Sequence, residues 1–235
     1  MYFGSTRLAD VIFDDFTIIP VLNRFGISLG VGDMDIESVC RDRNIDTEFF
    51  LMIVNVCASD GYIPDTALSS VNYGVEEVLS YLDNTNEYYA SVALPNIERH
   101  FRALQDRSVN GSNNIEFLWM FFQELKKELL GRIGSDKEIW FPAVRRVIAS
   151  PSAESSAALA EIVASVPKDE KAIEDKVDDL TSFFVIHLRG EYDQNLCMAV
   201  VTSLMSLEKD IKRNDRIRER LLRPLSVRLS EGVSK

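Results

Sequence analysis

The sequence predicts an all-α protein, with a small N-terminal helical module followed by an antiparallel four-helix bundle. Three observations carry that expectation. Four long segments repeat apolar residues at steps of three and four, the period of a helix buried along one face. Short turns rich in Asn, Gly, Ser or Pro separate them. No run alternates as a half-buried strand does, and no repeat of solenoid length recurs.

In the module, Leu8-Ala-Asp-Val-Ile12 opens a helix, and Phe25 to Asp33 forms a glycine-rich turn. Gly26, Gly30 and Gly32 lack the preceding strand and following Gly-Lys-Ser/Thr of a phosphate loop. Asp35 and Asp46 stand where a carboxylate would cap short helices over 35–43 and 46–58. Gly61, Pro64 and Asp65 close the module, so the expected division is 1–70, a bundle over 71–228 and a tail over 229–235. The first long helix covers about 75–107. The second follows the Asn110–Asn114 turn and reaches about 148, with Asn113 and Glu116 at capping-box spacing. Gly131 and Gly134 predict a loosening within it. Ser150 to Ser156 reads as a linker, and Pro167 stops a short helix. The third long helix spans about 169–188. The fourth runs from the Gly190–Asp193 turn to about 222, where Pro224 stops it.

Composition narrows the class. Apolar residues make up 46% and charged residues 27%, as in a globular chain. No apolar run is longer than that from Phe49 to Val54, which falls far short of the ~20 residues a membrane helix needs. The N-terminus reads as having no export signal, so a cytoplasmic location is expected. Cys40, Cys57 and Cys197 form no C-x-x-C pair, which argues against a disulfide framework or a sulfur-ligated zinc. Each reads as a small buried hydrophobe. A net charge of −11 disfavours nucleic acid for this chain alone. One region runs the other way: from Glu208 to Arg228, eight Lys/Arg stand against four acids. It reads as a solvated helix whose cations suit the negative end of its dipole, or as a basic contact surface.

Polar residues interrupt the apolar stripes. Asn86 sits in the first helix where an apolar residue is expected, and the second stripe runs into Arg132 and Asp136. Stepping back along the third leads to Glu170. The fourth carries Asn214 and Arg218, again four apart. Buried charges need partners, so the six could converge on one polar site; equally, each stripe could turn to the surface near its helix end.

With these residues in view, the chain resembles the iron–sulfur-cluster-repair di-iron proteins, a hemerythrin-like family. Leu8-Ala-Asp, Arg24-Phe-Gly-Ile27 and Ile36-Glu-Ser-Val-Cys40 resemble its leader. Glu138-Ile-Trp-Phe-Pro142 and Arg216 to Pro224 resemble its helix endings. The resemblance implies a cysteine-bearing module before a hemerythrin-like bundle. Departures remove the chemistry. Ser28-Leu-Gly-Val31 replaces the cysteine pair, and the implied ligand positions hold Asn86, Arg132, Asp136, Glu170, Asn214 and Arg218. Arginine keeps its proton and cannot ligate. His100 and His187 lie away from those positions, and no catalytic set, metal site or cofactor is expected. The chain is also similar to the N-terminal part of hemerythrin-like helix-turn-helix regulators, and stops about where their DNA-binding domain would begin.

The leading expectation is therefore a non-enzymatic regulatory or protein-interaction protein with a protein partner and no membrane attachment, of the kind that forms the sensor part of a transcriptional regulator. Two alternatives stay open. One is a metal-binding iron–sulfur-cluster repair or stress protein. The other is a nucleic-acid binder acting through the basic last helix.

Overall fold

The computed structural model describes residues 1–64, 74–108, 114–166 and 171–232, and among these the chain is helical with no strand. In chain order the helices are α1 (Leu8–Asp14), α2 (Ile19–Arg24), α3 (Ile36–Arg43), α4 (Thr47–Ala58) and α5 (Val75–Tyr88). They continue with α6 (Leu94–Asp106), α7 (Ile115–Ser135), α8 (Phe141–Ala149) and α9 (Ala153–Ser165). The last are α10 (Lys171–Ser182), α11 (Gln194–Ile217) and α12 (Arg223–Glu231). A 3-10 turn, Phe16–Ile18, joins α1 to α2.

Local chemistry sets several boundaries. Asp35 accepts the Ser38 backbone N–H at 2.8 Å, and Asp46 accepts that of Phe49 at 2.7 Å, so both expected caps form. Gly26, Gly30 and Gly32 take φ of 70°, 93° and 60°, a left-handed backbone that glycine adopts without strain. The serine-rich stretch is not a linker. Ser152 caps α9 through a reciprocal pair of bonds with Ser155, because a serine at a helix start satisfies an otherwise unpaired N–H.

Three long helices share one irregularity. Tyr89–Ala93, Asp136–Trp140 and Arg218–Leu222 are π-helical, and each is followed by a residue and then a proline: Pro95, Pro142 and Pro224. A proline ring crowds the carbonyl four residues back and offers no N–H. That carbonyl belongs to Ser91, Glu138 or Arg220, each inside a π turn, where the wider coil relieves the crowding. Pro224 therefore does not stop the last helix, which continues to Glu231 and takes in the start of the expected tail. Gly131 and Gly134 lie within regular α7. The expected loosening comes instead at Asp136–Trp140, where proline rather than glycine sets it.

Two compact units result: Met1–Thr85, Trp140–Val166 and Arg213–Lys235 make unit 1, and Asn86–Ile139 with Pro167–Lys212 make unit 2. This division differs from the expected 1–70 and 71–228. Leu22, Phe50 and Val54 of the leader share one core with Val78 and Leu82 of α5, Phe141 of α8, Leu159 of α9 and Leu225 of α12. The leader thus folds with helix ends far along the chain rather than alone. The core of unit 2 draws on α6, α7, α10 and α11, with Phe101 packed on Trp119, Phe122 and Phe184 at centroid distances of 5.4–5.6 Å. No helix among the described residues is long and apolar enough to cross a membrane.

Candidate functional site

The polar interruptions are mostly buried. Asn86, near the end of α5, and Asp136, opening the second π turn, are each 2% exposed. The Asn86 Nδ2 donates to Asp136 Oδ2 at 3.2 Å inside unit 2. Arg132, one turn before Asp136, is half-buried in the same unit. Asn214 and Arg218 belong to unit 1 and are 1% and 2% exposed. The Asn214 Oδ1 is buried without a hydrogen-bond partner. The Arg218 guanidinium lies 5.0 Å from the centre of the Trp140 ring. Glu170 lies outside the described residues. Of the six, then, Asn86 and Asp136 meet directly.

These residues do not fit a metal pair. The amide of Asn86 is donating to the one carboxylate it meets, and arginine offers no lone pair. Among the described residues no group of three or more His, Cys, Asp or Glu could hold a metal ion. His187 is exposed and packs on Phe183, with ring centroids 5.0 Å apart. Cys40 is buried, and burial pushes its thiol up to about 11, far from a reactive thiolate.

Sequence reasoning missed what the basic last helix does. Arg213, 2% exposed, donates to the carbonyls of Cys57 (3.2 Å) and Thr17 (2.6 Å) and to the Asp15 carboxylate. Arg216 donates to the same Cys57 carbonyl at 2.9 Å and pairs with Asp60. Arg220 reaches the carbonyls of Asp60 and Tyr62, both at 2.6 Å. Arg223 takes those of Val163 (3.1 Å) and Val166 (3.3 Å). The carbonyls left open at the ends of α4 and α9 are thus capped by guanidinium groups, which also suit the negative dipole ends. These four arginines form neither a solvated face nor a free basic surface. The spacing Arg213, Arg216, Arg220, Arg223 follows the helix period and marks one face.

A second unforeseen feature is a cleft of about 290 Å³ in unit 1, between the leader and α5. Phe25, Phe49 and Tyr81 line it, with Arg24, Asp46 and Glu77. The leader motif Arg24-Phe25 marked this place in the sequence, but only as a resemblance.

No family model, curated protein or solved structure matches the chain. The site's own geometry therefore carries the functional reading.

Proposed function

We propose that this is a non-enzymatic regulatory or protein-interaction protein, built on an antiparallel, hemerythrin-like four-helix scaffold that works without metal. The observation that supports it best is the Asn86–Asp136 hydrogen bond. Side chains at two implied ligand positions meet each other, so the buried Asp136 carboxylate accepts a hydrogen bond from within the protein. Exposed apolar side chains supply contact surface. Phe117 and Met120 on α7 are 56% and 63% exposed, and Val185 and Ile186 in the π turn after α10 are 70% and 68% exposed. The two segments meet at one end of unit 2, where Phe117 packs on Phe183 at 5.7 Å and Asn114 donates to the His187 carbonyl. Exposed apolar groups gathered in one place are a usual mark of a protein contact.

The nucleic-acid reading loses support because four arginines of the basic helix are engaged on the protein's own carbonyls. Two measurements test the proposal. Protein purified after growth with added iron should carry no stoichiometric metal; two irons per chain surviving gel filtration would overturn the metal-free scaffold. Crosslinking in cells should trap a protein partner, and Phe117→Asp with Ile186→Asp should abolish the product. An unchanged product would remove this surface from the reading.

A further inference from the structure

We propose that the outer face of α7 binds a second copy of this chain, the two α7 helices lying antiparallel about a two-fold axis. The inference rests on the protein-contact reading and names an occupant for part of that surface, because Phe117 and Met120 belong to both. It starts from two glycines. Gly131 and Gly134 stand in regular α7 without a positive φ, and a Cβ at either would meet nothing within 4 Å. Glycine weakens a helix interior, and among the described residues nothing in the chain itself calls for it here. What a glycine on an outer helix face does offer is close approach of another body to the backbone.

The rest of that face supplies the body that fits. Phe117, Met120, Glu124, Lys127, Gly131 and Gly134 follow one another at steps of three and four, the spacing of a helix–helix seam. All are exposed except Gly134, which is half-buried. Their order is complementary to its own reverse. About a midpoint between Leu125 and Lys126, Phe117 mirrors Gly134, Met120 mirrors Gly131 and Glu124 mirrors Lys127. A two-fold axis at that midpoint sets each large apolar side chain of one copy over a glycine of the other. It also pairs each central acid with a base, over about five turns or roughly 25 Å of helix. Such an interface uses the same patch on both copies and closes as a dimer. Glu124 and Lys127 make no ion pair within the chain among the described residues, so both charges are available. A parallel pairing would instead set Glu124 on Glu124 and Lys127 on Lys127, and like charges across an interface repel.

The test weighs the full chain by sedimentation equilibrium over a range of concentrations, where a reversible dimer is expected. Gly131→Gln with Gly134→Gln fills the space over both glycines and should weaken dimerisation about tenfold or more, as loss of a central contact does. Glutamine is the better helix former, so that loss would not be one of folding. Glu124→Lys and Lys127→Glu each bring like charges together and should each weaken the homodimer. Mixed in equal amounts, these two variants should pair with each other, because every 124–127 contact between them is then opposite in sign. A chain that stays monomeric, a dimer indifferent to the glycine variant, or charge variants that do not pair on mixing would each overturn the proposal. A monomeric chain whose crosslinked product in cells is still lost with Phe117→Asp and Ile186→Asp would overturn the second copy and leave the protein-contact reading standing.

Discussion

The two units differ in the charge they bury. Among the described residues, the buried arginines, Arg24, Arg213 and Arg218, all belong to unit 1, which also buries Asp215. The buried charged residues of unit 2 are aspartates, Asp136 and Asp210. Unit 1 is assembled from three stretches of chain and contains the ends of α4 and α9, whose last carbonyls need donors. Guanidinium meets that need because it presents five N–H groups in a rigid fork. Unit 2 keeps its lysines nearer the surface, as in the Lys126–Glu98 pair at 2.6 Å, where the lysine holds the Glu98 carboxyl below its ordinary range. Its interior is largely aromatic and aliphatic, with the Asn86–Asp136 bond as a local exception. The buried Arg213 caps carbonyls of distant segments, whereas the Asn86–Asp136 bond joins two helices.

If that contrast is right, the arginine interior of unit 1 is the place to break first. Arg213→Ala strips donors from two carbonyls and from Asp15, and should cost ~3–5 kcal/mol by urea unfolding, the range for breaking a buried pair. A loss below ~1 kcal/mol would show that water replaces the guanidinium and that the cap is incidental. Arg218→Ala comes next. It removes the cation beside Trp140 and leaves a cavity, for an expected ~2–4 kcal/mol. Arg218→Lys should recover little, because a compact ammonium does not stack as a planar fork does. In unit 2, Asn86→Ala should cost ~1–3 kcal/mol by withdrawing a donor from the buried Asp136 carboxylate. A double-mutant cycle with Asp136→Asn should give a coupling of ~1 kcal/mol, and zero coupling would mean the two are neighbours without a bond. The smallest effect has the opposite sign. A Cβ at Gly131 or Gly134 would meet nothing within 4 Å, so either glycine changed to alanine should stabilise α7 by ~0.5–1 kcal/mol. A loss at either would reveal a backbone need that their helical conformation does not suggest.

Much of this was readable in the residues, and the failures have physical causes. Helices follow from the 3.6 period, and the Asp35 and Asp46 caps from a short acceptor before an apolar run. That Asn86, Asp136, Asn214 and Arg218 interrupt apolar stripes was legible, but their burial was left open, because periodicity alone does not fix how a helix is rotated. The arginine face was equally periodic, yet charged residues are so seldom buried that solvent was the natural reading. Serines 150 to 156 misled because the composition of a linker is also that of a helix cap. The unit boundaries were not legible at all, since they depend on contacts between segments more than a hundred residues apart, such as Arg213 with Cys57. The cleft escaped for the same reason, its walls coming from separate segments of unit 1.

The proline-bounded π turns carry a consequence for how this chain tolerates change. A helix with one π turn holds one residue more than its hydrogen-bond ladder requires, and in three places a proline fixes where that extra residue sits. With Pro142 replaced by alanine, nothing local would pin the bulge between Asp136 and Trp140. It could pass along the helix like a ruck in a carpet, turning each side chain it crosses by about a quarter of a revolution. The prolines, usually regarded as helix breakers, act here as stops that keep Asp136, Arg218 and Tyr89 facing inward.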